Sequence, residues 1–133
     1  MINYLMDTSA LLTLYCDEEG ADTVEDILRR AIAGEARVAI CFISLLEIMY
    51  RVWRESGRQA ALLAREKCLA LPLHVIGQTD VILEQAAEIK ALNRLSLADA
   101  LIAAAALSEQ AVLVHKDPEY ERLDIKQLKL PYK

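Results

Sequence analysis

The stretch MINYLMDTSALLTLY, residues 1–15, sets a short apolar run, Ile2 to Met6, directly against an acid, two hydroxyl residues and an apolar helical pattern. A strand that passes into a helix with so little between them is the opening unit of an alternating α/β chain. Asp7 stands at the junction. An acid there has an ordinary role, capping a helix that begins near Ser9. Whether it does more depends on what else the chain brings to that end of the strand.

The same alternation continues. GADTVEDILRRAIAGE has Val24, Ile27, Leu28, Ala31 and Ile32 at helical spacing and Gly34 as a stop. RVAIC is a β-branched strand running into FISLLEIMYRVWRESGR, a helix striped by Leu46, Met49, Tyr50 and Trp53, and Gly57 separates it from the helix QAALLAREKCLAL. LHVIG reads as a third strand, TDVILEQAAEIKAL as a helix capped by Thr79 or Asp80, and SLADALIAAAALSEQ as a buried helix because it is apolar almost all round. AVLVH is a fourth strand. IKQLKLPYK is too short a pattern to decide between an edge strand and a tail. The expectation is one α/β domain over residues 1–133, with a mainly parallel central sheet flanked by helices and ligands at the C-terminal ends of the strands.

Composition agrees with a packed domain. Of 133 residues 55% are hydrophobic and 26% charged, with four Gly and three Pro, which excludes disorder and low complexity. The N-terminus lacks the regions of a secretory signal, and LADALIAAAAL carries an acid and falls well short of the roughly 20 apolar residues of a membrane span. A soluble, cytoplasmic protein is expected. Cys16, Cys41 and Cys68 are odd in number, widely spaced and set in apolar patterns, as core thiols are. The net charge of −5 argues against a polyanion partner only until metal ligands are considered. If four of the twenty acids bind cations, the other sixteen nearly balance the fifteen Lys and Arg.

Four acids fall at strand ends or helix starts: Asp7, Glu47, Asp99 and Asp117. Each has a local explanation. SLLE and SLAD fit capping boxes, Asp7 a cap, and DPEY a type I turn. Burial argues for more, because Asp99 opens an apolar helix and clustered, desolvated carboxylates repel one another unless a cation compensates them. No Arg or Lys lies within those helix starts, and a hard divalent cation suits such a donor set.

NYLMDTSALL, SLLEIMYRVW, LADALIAAAAL and VLVHKDPEYERL together resemble the four acidic motifs of the PIN-domain ribonucleases, and the chain is similar in size to VapC-type toxins of toxin–antitoxin pairs. The resemblance covers essentially the whole chain. It implies an endoribonuclease dependent on Mg2+ or Mn2+, with Asp7, Glu47, Asp99 and Asp117 as catalytic metal ligands and Thr8 and Ser9 as supporting hydroxyls. It also implies an RNA substrate, a cognate antitoxin and a homodimer. The chain departs from the pattern at His115, where the family commonly has Thr or Ser. Period-two geometry puts His115 on the same side as Asp117, to touch substrate or, as favoured here, to fill space. His74 begins an apolar strand and reads as structural.

Arg51, Arg54, Lys90, Arg94 and Lys116 lie near the acidic motifs in sequence and are candidates for guiding the RNA backbone, against the alternative of ordinary solvated charges. Tyr15, Tyr50 and Trp53 exceed what one buried stripe per helix requires, so they are candidates for a partner surface. A receiver domain would need an acid pair after the first strand and an acid after the third; neither is present. An aspartyl phosphatase would need an acid at position 9, which is Ser. A PIN-like module that only binds a protein partner remains open.

Overall fold

The fold is that of a computed structural model, described for residues 1–132. Five strands form one sheet in the order β3-β2-β1-β4-β5, and every neighbouring pair is parallel. They are β1 (Ile2–Met6), β2 (Ala36–Cys41), β3 (His74–Ile76), β4 (Val112–His115) and β5 (Gln127–Lys129). The helices are α1 (Thr8–Tyr15), α2 (Ala21–Ile32), α3 (Phe42–Ser56), α4 (Arg58–Leu69), α5 (Asp80–Leu92) and α6 (Leu97–Ser108). The undecided IKQLKLPYK segment thus supplies the edge strand β5, while its Lys133 lies outside the described residues.

Period-two alternation builds two cores, one on each face of the sheet. Tyr4, Met6, Val38, Ile40 and Val114 pack on one face against α1, α2, α3 and α4, with Val24, Ile27, Ile48 and Ala64. Leu5, Ala39, Cys41 and Leu113 pack on the other against α5 and α6. Ile102 to Ala106 are at most 1% exposed, so α6 is covered all round along its centre. Local signals end the helices where expected. Gly34 takes φ 77 after α2, and Gly57, at φ 90 and ψ −179, makes the turn between α3 and α4 that a side chain would resist. Thr79 and Ser96 accept from the backbone of Ile82 and Asp99 to cap α5 and α6.

Four expectations are corrected. The stripe Leu46, Tyr50 and Trp53 is exposed, because α3 turns Leu45, Ile48 and Val52 to the core instead. Ser44 opens no capping box: β2 runs into α3 without a loop, the helix starts at Phe42, and Ser44 lies buried inside its first turn. Cys16 is exposed at the end of α1, whereas Cys41 and Cys68 are buried. His74 is exposed at the start of edge strand β3 and fills no core.

The order of strands positions the site. β1 lies between β2 and β4, with Met6 opposite both Ile40 and Val114. Asp7, the start of α3 and the segment after His115 therefore emerge together, at the point where the chain's progression across the sheet reverses.

Candidate metal centre

Asp7 is the N-cap of α1. Its Oδ1 accepts from the Ala10 N–H at 2.8 Å, and the Ser9 hydroxyl reaches its two oxygens at 2.6 and 2.8 Å. Ser9 Oγ also accepts from the Lys116 N–H at 2.9 Å, tying β1 to the end of β4. Asp7 is 3% exposed. Burial above all, with the charges of Asp99 and Asp117, pushes its carboxyl up to about 7 against the opposing bonds from Ser9 and Ala10.

Thr8 points toward α3. Its Oγ1 donates to Glu47 Oε1 at 2.6 Å and lies 3.1 Å from Ser44 Oγ. Asp99 sits in the first turn of α6, where a helix N-terminus favours the ionised form. Its N–H donates to Ser96 Oγ at 3.0 Å, and its Oδ1 accepts from the Tyr120 hydroxyl at 2.9 Å. Its carboxyl is also pushed up to about 7, by burial first and then by a hydrogen bond and charge from Asp117 and the charge of Glu47, with Tyr120 opposing. Asp117 opens a 3-10 helix, Pro118–Arg122, and its Oδ1 accepts from the Glu119 N–H at 2.9 Å.

The acid that sequence reasoning missed is Glu119. Among the described residues, the one group of acids whose donor oxygens all lie within 4.8 Å of one another is Asp99, Asp117 and Glu119. The spacing D-P-E was the available signal: a tight turn after Asp117 returns the second residue on to the same end of the sheet. Asp7 and Glu47 fall outside that span, though Asp7 feels the charges of Asp99 and Asp117, and Asp99 that of Glu47.

His115 is fully buried. Its Nδ1 accepts from the Asp117 N–H at 3.0 Å, so Nε2 carries the proton toward Gln127 Oε1, 2.9 Å away. Burial lowers its pKa. From there it holds the backbone of Asp117.

The basic candidates divide. Arg51 is exposed and lines a cavity of about 620 Å³ whose walls also include Ser9, Tyr15, Lys116, Pro118 and Tyr132. Lys116 is engaged: its Nζ donates to the Glu19 carbonyl at 2.8 Å and lies 3.7 Å from Glu18, with its side chain 6% exposed. Arg54 lies over the Tyr50 ring at 5.3 Å, and Arg94 and Lys90 are exposed before α6 and on α5.

Asp7 and Asp99, whose carboxyls burial holds up to about 7, together with the Asp117 and Glu119 carboxylates clustered with Asp99, offer hard oxygen donors of the kind a divalent ion would bind in their ionised form, so the residues fit Mg2+ or Mn2+. Comparison with known proteins places the arrangement. The family model described as PIN domain matches residues 4–126. The chain belongs to the PIN domain family. That membership excludes the receiver and phosphatase alternatives. No curated protein sequence matches it.

Solved structures share the PIN domain's fold over its whole length. VapBC2 from Rickettsia felis, solved bound to a DNA fragment from its promoter, is 19% identical at a TM-score of 0.81, covering 98% of this chain and 100% of the other. DNA-bound VapBC from Salmonella typhimurium is 21% identical at 0.78, covering 97% and 98%. Mycobacterium tuberculosis VapC20, described as a sarcin-ricin loop cleaving toxin, is 20% identical at 0.68, covering 96% and 99%.

Proposed function

We propose that this PIN domain is a metal-dependent endoribonuclease, the toxin of a type II toxin–antitoxin pair, acting in the cytoplasm on RNA phosphodiester bonds. The observation that carries the reading is the cluster of Asp99, Asp117 and Glu119, with Asp7 and Glu47 near enough for their charges to be felt there and with Asp7 and Asp99 held up to about 7. The toxin–antitoxin names of its structural relatives support the biological role.

Asp99, Asp117 and Glu119 are the residues to hold a Mg2+ or Mn2+ ion, with Asp7 and Glu47 beside them. Bound there, the ion would supply Lewis-acid activation of a water molecule and neutralise charge at the scissile phosphate. Ser9 fixes both oxygens of Asp7, and Thr8 fixes Glu47, so neither carboxylate has to reorganise during reaction. The water oxygen bonds to phosphorus as the P–O bond to the leaving ribose oxygen breaks, and the water's proton passes to a carboxylate. Arg51, at the adjoining cavity, guides the RNA backbone, with Arg94 on the approach to α6 and Lys116 holding the wall of the cavity. Among the described residues no helix is long and apolar enough to cross a membrane. Leu46, Tyr50 and Trp53, exposed, form with the half-buried Met49 an apolar face for the antitoxin or a second subunit.

The test is cleavage of a mixed RNA pool by purified protein, with and without EDTA, followed by sequencing of the cut ends. EDTA should abolish cleavage and Mn2+ restore it, and Asp7→Asn and Asp99→Asn should each lower the rate at least about 100-fold. Cleavage indifferent to EDTA, or kept by both folded variants, overturns the proposal.

A further inference from the structure

The hydroxyl of Tyr120 has no packing role that phenylalanine would not fill. Its ring is completely buried in the core between the sheet and α6. A buried phenol needs a hydrogen-bond partner, and this one reaches past the backbone to a carboxylate: the hydroxyl donates to Asp99 Oδ1 at 2.9 Å. The bond joins two segments 21 residues apart, the start of α6 and the 3-10 helix that carries Glu119.

The ring is itself held from two directions. The His115 imidazole lies against it at 4.9 Å between centroids, tilted by 58°. Gln127 on β5 donates through Nε2 to the carbonyls of Tyr120 and Leu123, at 2.8 and 3.2 Å, while its Oε1 meets His115. A chain of contacts therefore runs from β5 through Gln127 and His115 to Tyr120 and ends on Asp99.

We propose that Tyr120 is a positioning residue for the metal centre: its hydroxyl fixes the Asp99 carboxylate so that the remaining lone pairs face Asp117 and Glu119. This rests on the reading of Asp99 as a metal ligand. Partners that orient ligating groups affect metal affinity about 10- to 100-fold.

The test is Mn2+ titration calorimetry on the full chain, comparing wild type with Tyr120→Phe, Asp99→Asn and Tyr4→Phe, the last removing a buried phenol from the opposite core. Tyr120→Phe keeps the ring and its contact with His115, so the fold is kept. It should weaken Mn2+ binding about 10- to 100-fold. The Mn2+ concentration for half-maximal cleavage should rise by the same factor, with KM for RNA unchanged at saturating metal. Tyr4→Phe should bind like wild type. A purely structural Tyr120 would change thermal stability and leave the Mn2+ Kd of the folded protein alone. A wild-type Kd in Tyr120→Phe, with binding lost in Asp99→Asn, overturns the proposal and leaves the nuclease reading standing. No Mn2+ binding by wild type overturns both.

Discussion

Replacing Asp7 by Asn should make the metal-free protein more stable at pH 8 while removing its activity. Burial raises the Asp7 carboxyl from an ordinary 3.8 to about 7. The folded state then holds this proton more tightly than the unfolded chain. Stability from this group is complete below 3.8, declines as pH rises between 3.8 and 7, and is gone above 7. At 1.36 kcal/mol per unit, a shift of about 3 units costs the ionised fold about 4 kcal/mol, of which roughly 3 accrue between pH 5 and 8. These figures are upper bounds, since relaxation around the charge reduces them. Asn caps a helix as well as Asp does and still accepts from the Ala10 N–H, so little is lost in exchange. Asp99 is raised in the same direction and steepens the pH dependence of wild type and variant alike.

The assay is urea unfolding of both proteins in EDTA at pH 5 and pH 8. Wild type should lose more stability than Asp7→Asn over that interval, by up to about 3 kcal/mol, and the variant should be the more stable protein at pH 8. Added Mn2+ should stabilise wild type far more than the variant. Equal pH slopes for the two proteins, or a variant less stable than wild type at pH 8, would refute the claim that Asp7 is a charge stored against its own solvation cost. A positive result would make Asp7 a residue kept for function at the expense of stability.

Two further outcomes follow from the geometry. Glu119→Gln should weaken Mn2+ binding about 10-fold while thermal unfolding without metal stays unchanged, because Glu119 is exposed and its oxygen lies with those of Asp99 and Asp117; an unaltered Kd by calorimetry would remove it from the ligand set. Leu46→Glu combined with Trp53→Glu should abolish self-association in sedimentation velocity, or copurification with the product of the neighbouring small open reading frame, and change stability by no more than about 1 kcal/mol, since both side chains are about half exposed. A double variant that still self-associates and copurifies would place the partner surface elsewhere.

Local patterns along the chain determined the succession of elements. Alternation of period two in RVAIC and AVLVH, helical spacing in the segments between, and the stops and caps at Gly34, Gly57, Thr79 and Ser96 are properties of neighbouring residues, and they reappear in the structure within a residue or two. The positions of Asp7, Asp99 and Asp117 at the ends or starts of those elements were legible for the same reason. Contacts between distant residues had to be formed before the rest was decided. The order β3-β2-β1-β4-β5, which sets Asp7 between the exits of β2 and β4, is chosen by packing both faces of the sheet at once. Thr8 bonds to Glu47 across 39 positions, Lys116 to Ser9 across 107 and Tyr120 to Asp99 across 21, and no short window of sequence contains any of these three pairs together with its surroundings. The face of α3 turned to solvent, the exposure of Cys16, the engagement of Lys116 and the inclusion of Glu119 were settled in the same way, because burial and charge depend on what folds over a residue rather than on what precedes it.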